Sequence, residues 1–206
     1  MSRLRPTPPL AAIVLAAGES TRMGQSKALL SWGGTSLIHH QVTTLALYAE
    51  ITHIVVVLGH RADEVRAALD DANVQTAMNY SYQQGRASSL ATGAHALTDI
   101  AQVSVLVCNV DQPLAIDILG PLIDAFRAYP DAILRPVYAG RAGHPLIVPP
   151  DIASELDQVD EKTLGLRAIT TRHKARIRSV PVTSGLAILN LNTPGEFRAA
   201  RAEHAP

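Results

Sequence analysis

Four short apolar runs set the strongest limit on what this chain can become: AAIVLA (11–16), ITHIVVVLG (51–59), NVQTAM (73–78) and VSVLVCNV (103–110). Each is brief, nearly unbroken and rich in Val and Ile, as expected of strands buried on both faces. Between them lie SLIHHQVTTLALYAE (36–50), RADEVRAALDDA (61–72) and RASSLATGAHALTD (86–99), whose apolar spacing and helix-forming composition suit amphipathic helices. Strand alternating with helix predicts an α/β, Rossmann-like doubly wound fold with a mostly parallel sheet, and a ligand site beyond the carboxyl ends of the strands.

After a helix near IDILGPLIDAFRAY the pattern changes. Two strand-like pieces flank Ala139 to Gly143, which predicts an antiparallel hairpin lobe with Gly140 and Gly143 available for turns. Further on come a helical piece, a strand near IRSVPV, a short apolar run and a last helix from Pro194, with Thr193 as its N-cap. At 206 residues, with no repeat or long linker, the chain is expected to form a single domain over 1–206, residues 1–9 being a disordered N-terminus.

Composition excludes more than it identifies. Lys plus Arg and Asp plus Glu are 18 each, so no global field points to nucleic acid or a membrane surface. The first residues lack an apolar stretch long enough for a signal peptide or membrane span. The single cysteine, Cys108, forbids an intramolecular disulfide and fits a reducing compartment, so a cytoplasmic location is expected.

Chemistry concentrates in LAAGESTRMGQSK (15–27), which matches neither familiar glycine-rich phosphate pattern. Small residues after a strand let backbone N–H groups approach an anion, Arg22 offers a fork for phosphate oxygens, and Lys27 a compact charge. A surface turn with two solvated cations is the competing reading. At VLVCNVDQPLA, Asp111 should emerge at the same sheet edge, where a hard oxygen ligand suits Mg²⁺ together with substrate phosphates.

LAAGESTRMGQSK, NYSYQQGRASSLATG, DQP and YAGRAGHP, in this order, resemble the MobA-like nucleotidyltransferase family, and within it the MocA-type molybdenum cofactor cytidylyltransferases. The resemblance implies a sheet of the nucleotide-diphospho-sugar transferase type and attack of an acceptor phosphate on the α-phosphorus of a nucleoside triphosphate. It implies that Leu15, Ala16, Ala17 and Gly18 line the nucleotide, Arg22, Lys27 and Asp111 are catalytic, and Asn79, Gly85, Ser88 and Ser89 close over the base. Helix capping is an alternative for Ser88 and Ser89. His144 and Arg167 would face the acceptor, a molybdopterin-type phosphate, with CTP as donor and a molybdenum hydroxylase as a further partner. A backbone-shaping role competes for His144, and a solvated face for the basic run 172–178.

Two motifs depart from the family pattern. Where it reads Asp-x-Asp-Thr-Pro this chain has NLNTP, leaving Asn190 and Asn192 as candidate metal ligands beside Asp111; Thr163 replaces an acidic residue in TLGLR, which keeps Gly165 and Arg167. The CTP preference rests on Ala17, where guanylyl-transferring relatives carry glycine. A sugar- or polyol-phosphate nucleotidyltransferase and a non-catalytic cofactor carrier remain the alternatives.

Overall fold

The computed structural model describes residues 7–160 and 165–204; Thr163 lies outside them. In chain order the elements are β1 (Leu10–Leu15), the short pair β2 (Ser31–Trp32) and β3 (Thr35–Ser36), α1 (Leu37–Ala46), β4 (Ile51–Leu58), α2 (Ala62–Ala67), β5 (Gln75–Met78), α3 (Arg86–His95) and β6 (Ser104–Asn109). There follow α4 (Ile116–Ala128), β7 (Ile133–Tyr138), β8 (Arg141–Ala142), β9 (Leu146–Val148), α5 (Pro150–Ala153), α6 (Leu166–Arg172), β10 (Ile177–Pro181) and α7 (Pro194–His204). The main sheet runs β10-β7-β9-β6-β1-β4-β5, with β8 paired to β7. Pairings β1–β4, β1–β6, β4–β5 and β7–β10 are parallel. β9 is antiparallel to both β6 and β7, so the sequence-predicted reversal sits inside the main sheet.

Period-two alternation divides the core. Leu10, Ala12 and Val14 of β1 pack on one face with α1, α4 and the middle of α7. Ala11, Ile13 and Leu15 pack on the other with α3, α5 and α6. Every residue of β1 and β6 is buried, which is why both read as continuous apolar runs. Cys108 is one of them, and burial pushes its thiol pKa up.

The hairpin turns at Ala139 and Gly140, with φ of 47° and 75°. Gly143, expected to serve a turn, serves a close approach instead: a Cβ there would lie 2.1 Å from the Ala187 carbonyl oxygen. A second tight turn, at Gly33 and Gly34 between β2 and β3, was not anticipated, although paired glycines after Trp32 carry the signal.

Candidate active site

The site forms where β1 and β6 end side by side, Leu15 opposite Asn109. Beyond Leu15 the Ala16 N–H donates to the Val57 carbonyl and the Ala17 carbonyl accepts from His60, which pins the loop to the end of β4. Ser20 is left-handed at φ 57°, and its hydroxyl accepts from the Lys27 N–H at 3.1 Å. The loop thereby turns back on itself and delivers Lys27 to the sheet edge.

Asp111 arrives from β6 on a turn held from below. Gln41 of α1, fully buried, donates from its amide to the carbonyls of Asn109, Val110 and Gln112 at 3.0–3.2 Å. The Leu191 N–H donates to the Asp111 carbonyl at 2.8 Å, which fixes the C-terminal segment beside it. Thr193 caps α7 in a reciprocal box: its hydroxyl accepts from the Glu196 N–H, while the Glu196 carboxylate accepts from the N–H groups of Asn192 and Thr193. The Thr193 hydroxyl also donates to the Glu196 carboxylate at 3.1 Å, and this bond first, then that from the Asn192 N–H, holds the Glu196 carboxyl below its ordinary pKa.

Three segments remote in sequence therefore converge. Lys27 Nζ lies 3.0 Å from Asp111 Oδ2 and 2.9 Å from Asn192 Oδ1. Arg22 donates to the same Asn192 oxygen at 3.3 Å, and Arg86 stands 3.8 Å from Asp111 Oδ2. Leu15, Ala17, Gly18, Gly85 and Ser89 line this same cavity, about 280 Å³ in volume. An adjoining cavity of about 400 Å³ holds His144 and Arg167; Leu15, Arg86 and Asn109 line both.

Four sequence-proposed residues stand behind the walls rather than in them. Ala16 packs in the core. Asn79, 3% exposed, donates to the hydroxyls of Ser88 and Ser89. Ser88 Oγ donates to the carbonyls of Gly85 and Ser81 from inside α3, whose N-cap is Gly85 with no side-chain cap bond, so the capping alternative does not describe its contacts. Asn190 Oδ1 accepts from Gln112, whose own oxygen accepts from Asn109. Asn192, not Asn190, is the asparagine that meets Lys27.

Gly85 has φ 112° and ψ −173°, a backbone state closed to side chains, and its chain reversal launches α3 toward the cavity. His144 is held in place by its N–H, which donates to the Ala187 carbonyl at 2.8 Å. Burial, and then the Arg86 charge, push its pKa down to about 4 against the opposing pull of Asp111, so the ring is neutral at pH 7. Its Nδ1 is buried without a hydrogen-bond partner.

Gln41, Arg86 and Arg135 were missed by sequence reasoning, and each carried a signal. Gln41 interrupts the apolar face Leu37, Ile38, Val42, Leu45. Arg86 puts a cation at the first position of a helix, against the macrodipole. Arg135 is a charge inside the strand ILRPVY and lines the larger cavity.

Hard oxygens from Asp111 and Asn192 already converge on a cation, the Lys27 ammonium, so the donor set suits a divalent ion completed by phosphate oxygens and water. Among the described residues no group of three or more His, Cys, Asp or Glu could hold a metal by itself. No helix among them is long and apolar enough to cross a membrane.

A polyphosphate-sized clamp opening onto a basic second cavity, at the carboxyl edge of such a sheet, is the arrangement of a nucleotidyltransferase. Residues 12–177 match the model of the MobA-like NTP transferase domain, and the chain belongs to that family. The molybdenum cofactor cytidylyltransferase of Escherichia coli is 24% identical over 93% of this chain and 95% of its own. The bifunctional protein GlmU of Marinobacter nauticus is 40% identical over 105 residues, half of this chain but only 22% of that protein's length. Among solved structures, a nucleotidyl transferase from Methanothermobacter thermautotroptrophicus superposes with a TM-score of 0.76 at 22% identity, covering 94% of this chain and 96% of that one. Rv0371C of Mycobacterium tuberculosis, solved in complex with manganese, does so with 0.71 at 25% identity, covering 96% and 100%.

Proposed function

We propose that this nucleotidyltransferase transfers CMP from CTP to a molybdopterin-type phosphate and releases pyrophosphate. The observation that carries the reading is the pair of adjoining cavities sharing Arg86 and Asn109, one lined by the LAAG loop with Arg22 and Lys27, the other by His144 and Arg167. An acceptor phosphate oxygen in the second cavity attacks the α-phosphorus of CTP in the first. The bond between the α-phosphorus and the bridging oxygen breaks, and pyrophosphate leaves with its electron pair. No protein nucleophile is needed, only positioning and charge neutralisation.

Lys27 and Arg22 neutralise the triphosphate, and Arg86 faces the junction where the two phosphates meet. Asp111 and Asn192 would hold Mg²⁺, which when bound supplies further neutralisation of the triphosphate; the manganese complex of the Mycobacterium relative supports a divalent ion. Ala17 lines the smaller cavity and stands where guanylyl-transferring relatives carry glycine, which supports a pyrimidine donor. End-to-end similarity to the Escherichia coli cytidylyltransferase supports both donor and acceptor. We place the reaction in the cytoplasm, as one catalytic domain, with a molybdenum hydroxylase receiving the product.

The test is pyrophosphate release from CTP, GTP, ATP and UTP with Mg²⁺ and molybdopterin. CTP should be fastest; a faster GTP reaction overturns the donor assignment. A second reading, a sugar- or polyol-phosphate nucleotidyltransferase, is favoured by the 40% identity to GlmU. Turnover with a sugar 1-phosphate and none with molybdopterin would select it. Nucleotide binding without turnover on any acceptor would select the cofactor carrier.

A further inference from the structure

Helix α1 is tied to the segment that carries Asp111 by a row of side-chain bonds to backbone carbonyls. Gln41 Nε2 donates to the carbonyls of Asn109, Val110 and Gln112 at 3.1, 3.2 and 3.0 Å. His40 Nε2 lies 2.9 Å from the Leu114 carbonyl oxygen, which can only accept, so that nitrogen carries the hydrogen. In the turn after α1 the Tyr48 hydroxyl donates to the Ile116 carbonyl at 3.2 Å. The whole passage from β6 to α4 therefore rests on donors from one helix and its following turn.

Gln41 is the member of this row that bears on the Asp111 carboxylate. The direction of a Cα–Cβ bond is set by the two rigid peptide planes that meet at that Cα. At Asp111 one plane carries the Val110 carbonyl, held by Gln41, and the other the Asp111 carbonyl, held by the Leu191 N–H at 2.8 Å. With both planes fixed, the side chain leaves toward Lys27, whose Nζ lies 3.0 Å from Oδ2. Gln41 itself is 0% exposed, and its Oε1 is buried with no hydrogen-bond partner. Turning the amide over would set that oxygen against three carbonyls, so its orientation is settled. An unmet buried acceptor is unfavourable, and packing does not account for it; three anchored carbonyls do.

We propose that Gln41 is a positioning residue for Asp111: its amide fixes the peptide plane before Asp111 and so aims the carboxylate at Lys27 and at a divalent ion. The inference rests on the reading of Asp111 as a ligand of that ion, and on neither the base of the donor nor the identity of the acceptor.

Manganese binding to the CTP complex of the full chain, read by electron paramagnetic resonance, tests this. Gln41→Met keeps the length and removes the donors. It should weaken Mn²⁺ binding about tenfold to a hundredfold, the usual loss when a group that orients a metal ligand is removed. Gln41→Glu should recover part of that affinity, because a carboxyl buried among carbonyls stays protonated and donates one bond. Relative to the parent, its affinity should fall as pH rises and that carboxyl ionises, a profile that carries the test if Gln41→Met does not fold. In turnover, Gln41→Met should lower kcat and leave the KM for CTP little changed. In an Asp111→Ala background it should lower kcat no further, since it acts through that carboxylate. Parental Mn²⁺ affinity in Gln41→Met, or a full second loss in the Asp111→Ala background, would overturn the proposal. If the parent's CTP complex takes up no Mn²⁺, the divalent-ion reading fails and the crystal structure of Gln41→Met decides the positioning alone. A carboxylate displaced from Lys27 supports it, and an unmoved one overturns it.

Discussion

The two cavities share three lining residues and differ in how their charges are held. In the smaller one each working cation already has an oxygen partner: Lys27 lies between Asp111 and Asn192, and Arg22 on Asn192. In the larger one Arg135 and Arg167 pair with no described carboxylate. A preassembled ion cluster fixes geometry before substrate arrives, which electrostatic catalysis requires. Unpaired cations hold affinity in reserve for a ligand that brings the missing charge.

Breaking the preassembled cluster should have the largest effect. Lys27→Ala or Asp111→Ala is expected to lower turnover by about a hundredfold to a thousandfold, the usual loss when one stabilising group is removed from reacting phosphates or oxyanions. Binding of phosphates in the larger cavity should persist. Pyrophosphate release measures the first effect and calorimetry the second, with circular dichroism to show that the variants remain folded. Turnover within threefold of the parent in both variants would remove them from the chemistry.

Two glycines separate the cavities more finely. A Cβ on Gly143 would meet the Ala187 carbonyl oxygen at 2.1 Å, and one on Gly59 would meet the Ala17 carbonyl oxygen at 2.7 Å. Each contact forces backbone to move, so each alanine substitution is expected to destabilise by about 1–3 kcal/mol. Gly143→Ala displaces the segment bearing His144 and should raise the acceptor KM with little change for CTP. Gly59→Ala displaces the LAAG loop and should do the reverse. If both variants shifted the same KM, the cavities would not be separable binding sites.

The same contrast explains what the sequence disclosed. Arg22 and Lys27 share one loop, and Asp111 follows a strand as continuous in hydrophobicity as the one before that loop, so the smaller cavity was legible from local pattern. Asn190 and Asn192 stand two apart in a motif; only backbone geometry turns one to Gln112 and the other to Lys27. The larger cavity gathers side chains from α3, β7, α6 and the segment before β9. No local pattern announces that meeting, because it depends on β9 inserting antiparallel between β6 and β7. Gln41 was hidden for another reason: its contacts are to backbone carbonyls, which leave no residue-type signature in the partner segment.

The smallest predicted effect reads the electrostatics of the larger cavity directly. His144 has a pKa of about 4, below the 6.5 of an ordinary histidine, from burial first and the Arg86 charge second. Between those values the unfolded chain binds the proton and the folded one does not. Stability should therefore fall as pH drops from 6.5 toward 4, with no His144 contribution to pH dependence above about 7. Arg86→Gln removes the second cause and leaves the first, so the His144 pKa should rise while staying below 6.5. Anions filling the cavity should raise it by the same logic, since they oppose the Arg86 field. Imidazole chemical shifts followed by NMR against pH would measure both, in the parent and the variant, with and without fructose 1,6-bisphosphate. An unchanged pKa in Arg86→Gln would mean that Arg86 does not bear on His144, and one unmoved by the bisphosphate would place the bound anion outside the cavity that His144 lines.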